Sequence, residues 1–288
     1  MGYHIKSEEE LNEAYRRIGL EQIEKGLKSI QKESRPEAVH DVRKRCKKLR
    51  GLARLYRFSL GEDNYKRVNI YFRDLARKLS DIRDAKTMLD TMEMLDGGEK
   101  YSELEETLKL NRKGKKVLKY DRDDVLEVVQ KDMEEGKAVI EESFMHVQND
   151  ADLMIPALKK TYKRGQKALE AARKSNSGED YHELRKRVKY LWYATRLIKH
   201  SWHNVLKKVA QEWSQLSDDL GDDHDLVVLR SFAFENVYQD ADTQKDLQVE
   251  IEEKTRQFRQ HAHILIERLF WEKPQPYAER MIAYLKMR

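Results

Sequence analysis

His40-Asp41-Val42-Arg43-Lys44-Arg45-Cys46-Lys47-Lys48-Leu49-Arg50 recurs later in the chain as His182-Glu183-Leu184-Arg185-Lys186-Arg187-Val188-Lys189-Tyr190-Leu191. Placed on a helix, the first copy puts Val42, Cys46, Leu49, Ala53 and Tyr56 on one apolar stripe. His40, Arg43, Lys47, Arg50 and Arg54 then fall on a second stripe facing nearly the opposite way. At about 1.5 Å per residue this basic stripe runs roughly 20 Å and presents a cation about every turn. The second copy keeps the design, with Leu184, Val188, Leu191 and Ile198 inward and His182, Arg185, Lys189 and Arg196 outward. Trp192 stands at the position of Arg50, and Tyr190 at that of Lys48, so the second site is less charged and more aromatic.

The two leading histidines lie 142 residues apart in a chain of 288. This spacing predicts two tandem halves, residues 1–148 and 149–288, each carrying one histidine-led basic helix. A second correspondence supports the duplication. Leu79-Ser80-Asp81-Ile82-Arg83-Asp84-Ala85 matches Leu220-Gly221-Asp222-Asp223-His224-Asp225-Leu226 at an offset of 141.

Composition points to an all-α protein. Charged residues reach 38% and hydrophobic residues 39%, with only four prolines and twelve glycines. Turns are expected at Asp96-Gly97-Gly98 and at Ser175-Asn176-Ser177-Gly178. Ser34-Arg35-Pro36-Glu37 reads as a helix start, Leu60 to Asn64 as the end of that helix, and Asp121 to Asp124 as a cap. Pro156 opens a helix to about Lys174, on which Ile155, Leu158, Tyr162, Gly165, Leu169 and Ala172 keep the three-four spacing of a bundle seam. Pro274 and Pro276 separate a long helix from a short terminal one. No period-two run is flanked by turn residues, so no sheet is expected.

The net charge of +5 hides segregation, because residues 132–135 and 218–225 are acidic. One cysteine, Cys46, excludes an internal disulfide framework and a cysteine-rich metal site. No apolar run approaches the roughly 18 residues of a membrane span. Met1 to Glu10 lacks the apolar core of a secretory signal. A cytoplasmic protein with no membrane partner is therefore expected.

Six of the eight residues from Arg43 to Arg50 are Lys or Arg and none is acidic. A solvated helix face normally mixes signs, and like pairs such as Arg43–Lys47 cost about 0.2–0.5 kcal/mol each. The pattern favours a polyanionic partner over a plain solvated face, unless Asp74, Asp81 or Asp84 neutralises it internally. Arginine offers phosphate a planar fork, lysine a mobile charge, and protonated histidine two donors. Lys159, Lys163 and Lys167, beside Lys160 and Arg164, form a third candidate stripe.

At these residues the chain resembles the CHAD family, named for a conserved-histidine α-helical domain. The likeness rests on His40 to Arg43 and His182 to Arg185, on Lys47 to Arg50 and Lys189 to Leu191, and on the two leucine-aspartate junctions. It implies two four-helix-bundle-like halves with pseudo-two-fold symmetry and a non-catalytic module that binds inorganic polyphosphate, without cofactor or metal. An association with polyphosphate granules would follow. The contacts it implies are His40, Arg43, Lys47, Lys48, Arg50 and Arg54 with His182, Arg185, Lys189 and Arg196. The basic runs add Lys44 and Lys186, and the third stripe Lys163 and Lys167.

Three other readings compete. Asp222-Asp223-His224-Asp225 carries ligands for a metal-dependent phosphohydrolase of polyphosphate or nucleotides. The first half has Arg83 where a ligand is needed, so those aspartates read better as caps at a helix junction or as partners of the basic helix. A basic helix interleaved with Tyr190, Trp192 and Tyr193 could follow nucleic acid. An acidic protein partner would also suit it.

Overall fold

A computed structural model of the chain describes residues 2–79, 84–96, 98–110 and 124–287. Within them lie helices α1 (Leu11–Lys32), α2 (Arg35–Leu55), α3 (Glu62–Lys78), α4 (Asp84–Met92), α5 (102–110), α6 (Asp124–Phe144), α7 (Ile155–Ser175), α8 (Gly178–Ile198), α9 (His203–Asn236), α10 (Ala241–Leu269) and α11 (Pro274–Lys286). Single helical turns link some of them, and no strand occurs among the described residues. The fold is all-α, as expected.

Local chemistry sets most boundaries. Proline stands in the first turn of α2, α7 and α11, where no N–H is needed. Asn176, at φ 51°, ends α7 in the left-handed conformation that asparagine tolerates. Ser177 then caps α8 by accepting from the Asp180 N–H, and Asp240 caps α10 by accepting from Thr243. The expected end of the basic helix at Leu60 to Asn64 moves back: α2 stops at Leu55, one turn spans Arg57–Leu60, and α3 starts after Gly61. Residues 80–83, Gly97 and 121–123, which carry parts of two expected turns or caps and one junction, lie outside the described residues.

The first four long helices close a ring: α1 packs on α2, α2 on α3, α3 on α6, and α6 on α1. The predicted apolar stripe fills that ring, since Val42, Cys46, Leu49, Ala53 and Tyr56 are all fully buried. Burying each large side chain contributes on the order of 1.5–3 kcal/mol. The second half stacks α7 on α8, α8 on α9, α9 on α10, and α11 on α7. Advanced by 142 residues, α1 falls on α7, α2 on α8, α3 on the start of α9, and the end of α6 on α11.

Two features lie beyond the duplication. Helix α9 runs unbroken through Leu220–Leu226, so the junction expected there is absent and its aspartates cap nothing. Helices α4 and α5 belong to the first stretch of chain but pack on the second. Met88, Leu95, Tyr101, Leu104 and Leu108 form a separate core with Leu226, Leu229, Leu247 and Ile251.

The halves meet where α2 crosses α8. A Cβ on Gly51 would stand 3.0 Å from the Cβ of Tyr193, the residue at the corresponding position of the repeat. Glycine lets the two backbones approach closely.

Candidate functional site

Beside this crossing lies a cleft of about 390 Å³. Arg43, Lys47 and Arg50 enter it from α2, and His182, Arg185, Lys186 and Lys189 from α8. Six arginines and lysines line it against one carboxylate, Asp225. The residues that the duplication singles out thus converge from separate halves on one space, because both basic stripes face away from their own cores across a shared seam.

Neutral groups aim several of the guanidinium groups. Arg43 donates through Nη1 to the Ala76 carbonyl at 3.0 Å, in the last turn of α3. Arg50 donates through Nε to Asn69 Oδ1 at 3.2 Å. Burial, with Arg54 and Arg73 nearby, lowers the pKa of Arg50. Hydrogen bonds donated to carbonyl and amide oxygens hold direction without cancelling charge. Arg185 differs: Asp225 lies 3.9 Å away, and its guanidinium rests against the backbone of Gly221. The acidic run of α9 therefore faces the second basic helix. Asp74, a candidate neutraliser of the first, pairs instead with Arg73 and Arg77.

The cleft also holds a histidine pair. The rings of His182 and His224 lie 3.8 Å apart between centroids. Burial, then His224, Lys186 and Arg185, pushes the His182 pKa down to about 4, so it is neutral at pH 7. Burial and the neighbouring Asp225 and Asp218 raise Asp222 to about 6. Asp223 is fully buried in an ion pair with Arg259, at 2.8 Å. Asp223, His224 and Asp225, three of the four residues of the competing metal reading, thus turn to different partners, and no group of three His, Cys, Asp or Glu among the described residues could hold a metal ion.

The expected set of fourteen contacts divides. Arg43, Lys47, Arg50, His182, Arg185, Lys186 and Lys189 line the cleft; the other seven do not. His40 and Lys44 are exposed on α2, outside the lining. Arg54 stacks 3.8 Å above the Tyr190 ring and donates to the Tyr65 hydroxyl. It helps line a smaller pit with Arg57, Lys160, Arg164, Arg187 and Tyr190. Lys163 and Lys167 point into solvent; Lys160 and Arg164, from the same helix, occupy that pit instead. Lys48 is buried at 5% exposure beneath Tyr3, and Arg196 lies over the rings of Tyr3 and Trp192.

Sequence reasoning missed Thr87 and Met88, which reach the cleft from α4, and His224 and Val228 from α9. The sequence carried no signal for the first two, since α4 is packed by long-range contacts. His224 was visible as the extra histidine in the second junction.

The family model for the CHAD domain matches residues 14–233. No curated protein matches the chain. Among solved structures the chain is similar to the CHAD domain from the plant Ricinus communis, with 17% identity and a TM-score of 0.58. The match covers 99% of this chain and 94% of that one. At this identity the likeness speaks for the fold. No helix among the described residues is long and apolar enough to cross a membrane.

Proposed function

The chain belongs to the CHAD domain family, and on that premise we propose that it is a non-catalytic module that captures inorganic polyphosphate in the cleft between α2 and α8. One observation carries the reading: six cations from two duplicated helices converge on a single cleft with one carboxylate in its lining. Arginine forks match the paired oxygens of each phosphate, and Lys47, Lys186 and Lys189 add charge that follows a flexible chain. Many weak contacts to one polymer act as successive intramolecular events, so long chains bind tightly and short ones poorly.

Calorimetric titration with long-chain polyphosphate, tripolyphosphate and single-stranded RNA at equal phosphate concentration tests this. Long polyphosphate should bind most tightly and be recovered at its original length. Replacing Arg43, Lys47 and Arg50 together by alanine removes three charge-assisted contacts and should weaken binding about a hundredfold or more. Helical circular dichroism should not change. Wild-type affinity in that variant would refute the site, and displacement of polyphosphate by RNA would refute the ligand.

A further inference from the structure

The segment before α1 lies across the crossing of α2 and α8. The Tyr3 hydroxyl donates to the Lys48 carbonyl on α2 at 2.8 Å. The Ile5 N–H donates to the Leu197 carbonyl on α8, also at 2.8 Å. Arg17 of α1 holds the His4 carbonyl at 2.9 Å. Tyr3 and Ile5 are both buried. The segment therefore straps the two halves together at their seam.

Beneath the strap is an imbalance of charge. The Lys48 ammonium lies 5.6 Å from the Tyr3 ring centroid, and the Arg196 guanidinium 5.7 Å from the same centroid. No described carboxylate pairs with either cation, and Asp41 is committed to Arg45 through two hydrogen bonds. Lys48 is buried and Arg196 half-buried, and burying a cation without a counter-charge is costly. An aromatic face compensates only in part, being a weaker partner than a phosphate oxygen. Tyr3 meets Tyr193 edge-on at 6.0 Å, and Tyr193 also lines the cleft. One ring thus separates the covered cations from the basic cleft.

We propose that the N-terminal strap gates Lys48 and Arg196, two of the phosphate contacts that the family resemblance implies, and that it opens when a polyphosphate chain in the cleft displaces Tyr3. This rests on the polyphosphate reading given above. The ring is a stand-in for the anion. A chain long enough to pass Tyr193 exchanges two cation–π contacts for two charge-assisted ones, whereas a chain confined to the cleft leaves the strap closed.

Hydrogen exchange at the Ile5 amide tests the proposal on the native protein. Saturating long polyphosphate should accelerate exchange there, and tripolyphosphate should not. Unchanged or slower exchange with the long chain overturns the proposal. Tyr3→Ala should tighten binding of the long chain about fivefold, the worth of two weak cation–π contacts released. Adding Lys48→Gln should cancel that gain. Tyr3→Phe, which keeps the ring, should bind close to wild type. Should Tyr3→Ala not fold, the exchange result decides alone. Wild-type protein that fails to bind polyphosphate sinks the function and this inference together. Wild-type binding with no effect of Tyr3→Ala and no change at Ile5 sinks the strap only.

Discussion

At the scale of single residues, position is paid for in charge at Lys48. Burial, with Arg45, Arg196 and Lys44 nearby, lowers its pKa from 10.5 to about 7. The folded state thus binds fewer protons than the unfolded chain between about pH 7 and 10.5, and stability rises with pH across that window. Below about pH 7 the full cost of the buried ammonium is present. Replacing it by an apolar side chain of similar length, Lys48→Met, should stabilise the protein by about 1–4 kcal/mol at pH 6–7. The gain should shrink as pH rises toward 10.5 and vanish only above it, where the lysine is neutral in both states; thermal melts at pH 6–7 and near pH 10 check this. A pH-independent gain would mean that packing, not charge, is responsible. Gly221 makes the complementary point. A Cβ there would stand 2.8 Å from the Arg185 guanidinium carbon. Gly221→Ala should keep or raise the melting temperature, because alanine favours the helix interior by about 0.5–1 kcal/mol. It should nevertheless weaken polyphosphate binding about tenfold by displacing one charge-assisted contact. Unaltered affinity would remove Arg185 from the site.

At the scale of elements, the crossing of α2 and α8 decides whether two basic helices make one site. Gly51 sits at the contact, where an added Cβ would come within 3.0 Å of both Tyr193 Cβ and the Tyr3 hydroxyl. Neither neighbour is a free chain end: Tyr193 is nearly buried and Tyr3 is tied to Lys48. Gly51→Ala should therefore destabilise by about 1–3 kcal/mol despite its better helix propensity. The same substitution at Gly221 should not, so denaturant melts of the pair separate crowding from propensity. Equal effects at both positions would show that the α2–α8 approach is not tight. The cleft's orientation follows from this crossing, since the apolar stripe of each helix faces its own bundle.

At the scale of the whole molecule, the two stretches of chain are not independent. Helices α4 and α5, with the stretch between them, bury Met88, Leu95, Tyr101, Leu104 and Leu108 against α9 and α10. Tyr101 also donates to Glu250 at 2.9 Å, and Lys100 pairs with Asp246. A fragment of residues 1–148 would expose this apolar surface and lose the far side of the cleft. It should bind a hydrophobic dye and melt without a sharp transition. A cooperative melt of the fragment alone would show that the α4–α5 contact is dispensable.

The helical class, the repeated histidine-led motif and the basic character of α2 and α8 follow from the amino-acid order alone. Each depends on spacing along one chain segment, and a period of 3.6 is local information. The buried set Val42, Cys46, Leu49, Ala53 and Tyr56 was legible for that reason. Periodicity says which side chains share a face but not what that face meets. Lys47 and Lys48 are neighbours in sequence, about 100° apart on the helix. One reaches the cleft and the other lies under Tyr3, and only the crossing of the halves and the path of the strap decided which. The same rotation put Lys160 and Arg164, rather than Lys163 and Lys167, beside Arg54. The convergence of two cationic helices on one cleft is a long-range packing outcome, and tertiary structure alone settled it.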